Sequence, residues 1–142
     1  MNPFETISTF GVATLLAAML PVEARADLNM QPGLWESATM VGGTTMSTEK
    51  KCYLQKDIKA LERFQQGESP PGAPCKATGY KATGNTARYT LTCETEGRKT
   101  VSSVTMSYEG TVIRGSIETE GSPASTVVNS RIGDCSQSSF GN

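Results

Sequence analysis

Four cysteines are the residues of this 142-residue chain best suited to chemistry, and their pattern predicts disulfides. They are Cys52, Cys75, Cys93 and Cys135. No two of them form a CxxC pair, and a zinc site needs closer ligand spacing and usually histidine. An even cysteine number in an exported domain indicates two disulfides. Three pairings are open, and we favour Cys52–Cys75 with Cys93–Cys135, because the first pair closes the only non-β segment.

The complete absence of histidine restricts catalysis and metal binding. It excludes Ser-His-Asp and Cys-His nucleophilic sites, the common zinc sites and the usual neutral-pH proton shuttle. The serines have neither a base nor a nucleophile elbow. We therefore expect no catalytic residue and no cofactor.

Carboxylates and methionines supply the remaining candidate sites. A glycoside-hydrolase pair needs two carboxyl groups about 5–10 Å apart in a cleft, and the candidates lie at predicted strand ends and turns: Glu94, Glu96, Glu109, Glu118 and Glu120. Thioethers suit copper(I), but the methionines of the mature chain lack clustered spacing: Met30, Met40, Met46 and Met106. We expect a solvated rim of glutamates and no metal site.

The N-terminal 26 residues resemble a secretion signal. An apolar run over residues 11–20 is too short to span a bilayer and is followed by Ala24-Arg25-Ala26, a small-x-small cleavage site. Position 27 is Asp, so no lipid-attachment cysteine follows the predicted cleavage. We expect a soluble periplasmic or secreted protein that has no stable membrane anchor.

The charge of the mature chain argues against two classes of partner. Removing Arg25, Glu5 and Glu23 with the signal leaves 13 − 1 = 12 basic and 14 − 2 = 12 acidic residues. A nucleic-acid protein needs a basic face, and a polybasic membrane binder needs a cationic cluster. Lys50-Lys51 is too short to form such a patch.

Hydrophobic periodicity predicts an α+β, mainly β domain over residues 27–135, with a flexible tail over 136–142. The expected architecture is a twisted antiparallel meander of about seven strands with one helix. Short β-branched and aromatic runs separated by Gly or Asn turns indicate the strands: Leu34–Val41, Thr44–Tyr53, Lys76–Thr83, Thr86–Glu94, Lys99–Tyr108, Thr111–Thr119 and Ala124–Ile132.

The predicted helix covers Leu54–Phe64. Leu54, Ile58 and Leu61 form its apolar stripe, and Glu62 is placed on the opposite, polar face. In the last strand, Val128 and Ile132 are assigned to the apolar face of the sheet. The helix is expected to cover that apolar face, because the sheet has nothing else to pack against.

Large apolar residues are sparse, so we expect the disulfides to provide much of the stability. Trp35 is the only tryptophan and is interpreted as a structural anchor that holds the first strand to the sheet. Pro32 and Gly33 are expected to form the turn that precedes that strand.

Several motifs in combination resemble the bacterial family catalogued as domain of unknown function 3617. They are Pro32-Gly33-Leu34-Trp35-Glu36, Cys52-Tyr53-Leu54, Cys75-Lys76 with Tyr80-Lys81 and Gly84-Asn85-Thr86, Cys93, and Arg131-Ile132-Gly133-Asp134-Cys135. The resemblance covers most of residues 30–135. It implies an exported, mainly periplasmic β-sheet protein and no particular activity.

These observations favour a non-catalytic binding or accessory module whose partner is a small apolar ligand or an envelope protein. A carboxylate-dependent hydrolase and a purely structural envelope protein are the alternatives. A pocket between the helix and the sheet would favour ligand binding, since a helix that fills the concave face leaves no room for a ligand.

Overall fold

The computed structural model describes residues 28–136, so the predicted signal and all but the first residue of the predicted tail lie outside the described residues. Seven strands and one helix follow each other along this part of the chain: β1 Gly33–Val41, β2 Thr44–Tyr53, α1 Gln55–Gln65, β3 Cys75–Thr83, β4 Thr86–Thr95, β5 Arg98–Tyr108, β6 Val112–Thr119 and β7 Ser125–Gly133. The predicted α+β class is confirmed, and each predicted boundary lies within a residue of the observed one.

All seven strands form one antiparallel sheet in the order β2-β1-β7-β6-β5-β4-β3. Strands β3 to β7 are a meander, as predicted, because short turns join consecutive antiparallel neighbours. The β1–β2 hairpin is added beside β7, so the first and last strands of the chain are neighbours in the sheet.

The position of α1 follows from this strand order. It joins β2 to β3, which are the two opposite edges of the sheet, and it contacts both. A flat sheet of seven strands is roughly 30 Å wide, whereas a helix is about 10 Å in diameter. The sheet must therefore curve around α1, and its concave face holds the core.

Local interactions set both ends of the helix. At the start, the Asp57 carboxylate accepts a hydrogen bond of 2.8 Å from the backbone N–H of Leu54, which caps the first turn. At the other end, Gly67 has a φ of +97°, a conformation that favours glycine and stops the helix.

The buried core lies between α1 and one end of the sheet. Trp35 and Ile58 are both 1 % exposed, and they join a cluster whose other buried members are Met30, Ala87, Tyr108 and Ile113. The segment before β1 closes this end, because the Gln31 N–H donates to the Gly110 carbonyl and the Gly110 N–H donates to the Asn29 carbonyl, which ties it to the β5–β6 turn.

The favoured disulfide pairing is wrong. The structure pairs Cys52 with Cys135 and Cys75 with Cys93. Cys75 and Cys93 face each other in the β3–β4 register. Cys52 and Cys75 lie on opposite edge strands of the sheet, so a bond between them would have to cross its whole width.

The predicted orientation of β7 is also wrong. Ile132 is 47 % exposed on the outer face, whereas Asn129 lies opposite the buried Ile113 on the concave face. Both alternating sets of β7 contain a valine, so the strand's own pattern does not distinguish its faces. Pairing with β6 and β1 decides the orientation, because cross-strand partners share a face.

Candidate functional site

A cavity of about 170 Å³ lies between α1 and the concave face of the sheet. Side chains from the helix, from six strands and from the segment before β1 line it: Met30, Trp35, Tyr53, Leu61, Gln65, Tyr89, Met106, Tyr108, Ile113 and Asn129. The lining is mainly aromatic and aliphatic in residue type, and the tyrosine hydroxyls and the amides of Gln65 and Asn129 supply its polar groups, a mixture typical of a binding site for a small molecule.

The inner face of α1 carries two polar residues into the buried region. Ile58, Leu61, Glu62 and Gln65 recur at helical spacing, and Glu62 is only 8 % exposed. Its predicted place on the polar face is therefore wrong. The Glu62 carboxylate accepts a 2.9 Å hydrogen bond from the N–H of Leu28 and lies 3.1 Å from Lys59 Nζ, so its burial is compensated.

All four tyrosines of the chain converge on this region. Tyr53, Tyr89 and Tyr108 line the cavity, and Tyr80 packs beside it against the same core. Tyr80 lies within a β-bulge between Thr78 and Lys81, at which Gly79 has a φ of +67° and the β3–β4 register shifts. Bulges of this kind re-aim a side chain, and this one contributes Tyr80 to the core.

Burial raises the pKa of three of these tyrosines, Tyr80, Tyr89 and Tyr108. Burial raises the pKa of Tyr108 strongly, and its three neighbouring tyrosines raise it further, against a lowering by the Gln65 hydrogen bond. Burial also raises the pKa of Tyr89, against a lowering by its hydrogen bond with Gln65, and burial together with the Glu62 charge raises the pKa of Tyr80. The cavity therefore presents neutral hydroxyl groups.

Gln65 is the most deeply buried polar residue of the site, at 1 % exposed. Its Nε2 donates a hydrogen bond to the Tyr108 hydroxyl. Its Oε1 is buried, and no donor within residues 28–136 reaches it. The Gln65 side chain also hydrogen-bonds that of Tyr89, so the amide joins two of the buried tyrosines.

An open groove of about 600 Å³ lies between α1, the end of β2 and the loop that follows the helix. Tyr53 and Leu61 line both the groove and the cavity, so these two side chains separate the two spaces. Lys51 Nζ lies 4.9 Å from the centre of the Tyr53 ring, within cation–π range.

The residues proposed as structural anchors lie at one corner of the sheet. Trp35 Nε1 donates to the carbonyl of Gln31 at 3.0 Å. The Pro32 carbonyl accepts a 2.8 Å hydrogen bond from Arg131 Nε, and the Arg131 guanidinium also pairs with Asp134. A Cβ on Gly33 would lie 2.5 Å from Arg131 Nε, so only glycine fits this close approach.

The candidate carboxylates are placed apart from this site. All five glutamates of the hydrolase hypothesis are exposed, none lines the cavity or the groove, and Glu109 pairs with Arg114 at 3.1 Å. The methionines are divided: Met30 and Met106 line the cavity, Met40 is half-buried in β1 and Met46 is exposed in β2. Within residues 28–136, no group of three or more acidic or cysteine side chains is arranged to hold a metal ion.

Gln65 and the tyrosine cluster were missed by the sequence reasoning. Gln65 lies seven residues after Ile58, which puts it on the inner stripe, and the helix was predicted to end before it. The tyrosines are scattered over four strands, so only their partners in the folded sheet reveal that they meet.

The fold and the site together define a small, disulfide-linked α+β domain in which one curved antiparallel sheet encloses an aromatic cavity beneath a single helix. No helix in residues 28–136 is long and apolar enough to cross a membrane. The chain belongs to the family described as protein of unknown function (DUF3617), whose model matches residues 30–135. This confirms the family resemblance found in the sequence. No curated protein and no solved structure matches the chain.

Proposed function

We propose that this protein is a non-catalytic binding module that holds a small apolar molecule in the cavity between α1 and the sheet. The observation that carries the proposal is the cavity itself, since a helix that only covered the sheet would fill the space beneath it. The lining includes the buried rings of Trp35 and Tyr108, which offer large apolar surfaces for stacking.

The groove supports the proposal by providing access. Its volume lies within the range of about 300–1,000 Å³ that is usual for ligand pockets, and it shares Tyr53 and Leu61 with the cavity. Leu61 is half-buried on α1, and we expect a change of its side-chain rotamer to open a passage between the two spaces. A ligand thus needs no unfolding of the sheet to enter.

Export to the periplasm or secretion is part of the same proposal. The two disulfides support it, because such bonds persist in oxidising compartments. The leader that the sequence predicts over residues 1–26 agrees with it.

The two alternatives have less support. A purely structural envelope protein has no use for a cavity and a groove that meet at two side chains. A carboxylate-dependent hydrolase would need two acidic groups in a cleft, and its five candidate glutamates lie outside both spaces.

Quenching of the single tryptophan tests the proposal directly. Trp35 lines the cavity and is the only tryptophan of the chain, so bromobenzene bound there quenches its fluorescence through the heavy atom. We expect saturable quenching of the oxidised protein. Leu61→Phe narrows the passage and is expected to weaken the apparent affinity several-fold.

Met46→Phe is the matched control, because it adds a phenyl ring to a side chain that is 65 % exposed on β2. It is expected to leave the quenching curve unchanged. Quenching that rises linearly without saturation, or that is the same in Leu61→Phe and the wild type, would refute the proposal.

Native mass spectrometry of protein taken from its own compartment provides an independent measurement. We expect the mass of a chain that begins at Asp27, with four fewer hydrogens for two disulfides and an added small molecule. A retained leader contradicts export, and a ligand-free, partner-free monomer counts against binding.

A further inference from the structure

The N–H of Leu28 lies against a buried carboxylate at the point where the mature chain is predicted to begin. Leu28 is the second residue after the predicted cleavage site, and its N–H donates to Glu62 Oε1 at 2.9 Å. We propose that cleavage after Ala26 creates a partner for Glu62: the new α-ammonium group of Asp27 pairs with this carboxylate and makes the mature protein more stable than its precursor. This inference goes beyond ligand binding and rests on the predicted cleavage site.

Several contacts hold the segment that carries Leu28 in place. Met30 is 8 % exposed in the core, and Leu28 packs against the same cluster. The Met30 N–H donates to the Leu28 carbonyl at 2.8 Å, and the Asn29 carbonyl accepts a 2.8 Å hydrogen bond from the Gly110 N–H. The Leu28 nitrogen therefore has a defined position beside α1.

Covalent geometry limits how far the new amine can lie from Glu62. Residue 27 lies outside the described residues, but its α-nitrogen is three bonds from the Leu28 nitrogen, a separation of under about 4 Å. Rotation about a single backbone bond of residue 27 brings this nitrogen towards the carboxylate that the Leu28 N–H already binds. Successive backbone N–H groups commonly bind one anion in this way.

The Glu62 carboxylate can accept a further cation. Glu62 is 8 % exposed, and its Oε2 lies 3.1 Å from Lys59 Nζ. A carboxylate offers about four lone-pair sites, so the Leu28 N–H and Lys59 leave room for an ammonium group. The Lys59 side chain is 51 % exposed, and water therefore weakens its attraction for Glu62. A second positive charge offsets more of the cost of burying the carboxylate.

The precursor lacks this charge because the nitrogen of Asp27 then belongs to a neutral peptide bond. Cleavage changes it into an ammonium group without changing any side chain. Hydrogen bonds in which both partners are charged are stronger than those with one neutral partner. The end of the core that the segment before β1 closes is therefore held more firmly after cleavage.

Urea unfolding of two oxidised chains that differ only at the N-terminus tests the inference. One begins at Asp27, and the other carries Gly-Gly before Asp27, which moves the amine about 7 Å along the chain. At pH 7 we expect the equilibrium constant for unfolding to be about tenfold larger in the extended chain, since a hydrogen bond to a charged group contributes about that factor. Equal constants would overturn the inference.

The pH dependence of this difference identifies the ammonium group. An α-amino group has an ordinary pKa of about 8, and a carboxylate partner favours the charged form, so pairing raises this pKa in the folded chain. The difference between the two chains is expected to be complete at about pH 7 and to be lost as the pH rises from about 8 to about 10. A difference that persists unchanged above about pH 10 contradicts the proposal.

Other titratable groups do not disturb this comparison. Lys59 of α1 and Tyr80 of β3 both face Glu62. Both are present in the two chains, as is the side chain of Asp27, so their titration contributes equally and cancels from the difference. The alkaline effect of Tyr108 cancels for the same reason.

Glu62→Gln removes the negative charge and keeps an acceptor for the Leu28 N–H. The chain that begins at Asp27 and the extended chain are expected to be equally stable when both carry this substitution. Glu49→Gln is the matched control, because it removes an exposed carboxylate of β2 and is expected to keep the tenfold difference.

The variants and the pH series decide the inference together. A tenfold difference that survives in Glu62→Gln shows that the amine acts elsewhere, and the inference fails. A difference that disappears in Glu49→Gln as well shows that it is not specific to Glu62, with the same consequence. If Glu62→Gln does not fold, the pH series on the two unsubstituted chains decides alone.

Discussion

The two ends of the β1–β2 hairpin differ in burial although the same two strands build both. Near its base, Trp35 is 1 % exposed beneath α1. Toward its tip, every residue of β2 from Thr44 to Lys51 is exposed, and Met46 is 65 % exposed. Backbone pairing continues along the whole hairpin, with one shift of register near the tip.

This difference shows that hydrogen bonding builds the sheet and that the helix decides where it has a core. The exposed part of β2 is rich in threonine, serine and charged residues, which suit a strand that faces water on both sides. The part of the whole sheet that α1 covers, here called the covered part, holds the single tryptophan, the tyrosines and the cavity. Stability and ligand binding should both depend on the covered part.

Removing the disulfides is expected to change the free energy of unfolding more than any other substitution considered below. In the chain-entropy model, removing Cys52–Cys135, with a separation of 83 residues, costs about 4.5 kcal/mol, and removing Cys75–Cys93, with a separation of 18, costs about 3 kcal/mol. Urea unfolding of the two double-serine variants measures both. The Cys52–Cys135 bond ties the end of β2 to the residue that follows β7, so its loss should also loosen the hairpin.

Reducing agent should unfold the wild-type protein at temperatures where the oxidised form is stable. A thermal melt that reductant leaves unchanged would show that the covered core suffices without the disulfides. Equal losses in the two double-serine variants would contradict the loop-length argument.

A matched pair of isoleucines tests burial beneath the helix. Ile58 is 1 % exposed on the inner face of α1, and Ile132 is 47 % exposed on the outer face of β7. We expect Ile58→Ala to lower the free energy of unfolding by about 3 kcal/mol and Ile132→Ala by under about 1 kcal/mol, as measured in urea. Similar losses in the two variants would mean that Ile132 is packed against other residues and is not exposed to solvent.

The ionisation of Tyr108 is expected to have the smallest effect on the free energy of unfolding, and this effect depends on pH. Its pKa is raised in the folded protein, so above about pH 10 the unfolded chain releases this proton while the folded chain keeps it. The unfolded state then binds fewer protons, and stability falls as pH rises. Each retained proton contributes a slope of about 1.4 kcal/mol per pH unit.

Tyr108→Phe should therefore flatten the alkaline fall in stability by about that slope, although it loses the hydrogen bond from Gln65 at all pH values. Urea midpoints of both proteins between pH 9 and pH 11 provide the comparison. Parallel curves would show that Tyr108 ionises as readily in the folded chain as in the unfolded one.

Much of the secondary structure could be predicted because it depends on patterns of residues that are close together in the sequence. Gly42-Gly43 adopts two positive φ values at the first hairpin turn, as its composition indicates. The helix was predicted from Ile58 and Leu61, and it forms where it was expected. These features depend on neighbours within a few residues along the chain.

The candidate site was not predictable to the same degree. The helical pattern assigns Glu62 to the polar face, and only the folded structure shows that the Leu28 N–H donates a hydrogen bond to it. The orientation of β7 and both disulfide partners depend on which strands are neighbours. The family motifs show the same dependence, since Pro32 and Arg131 meet only because β1 pairs with β7.

By itself, the sequence determined the strands, the single helix, the even set of cysteines and the family, because periodicity, turn residues and motifs act over short distances. Only the tertiary structure decided the cysteine partners, the inward side of β7 and the convergence of four tyrosines with Gln65. The physical reason is that each of these depends on contacts between segments far apart in the chain, which exist only after the sheet has curved around the helix.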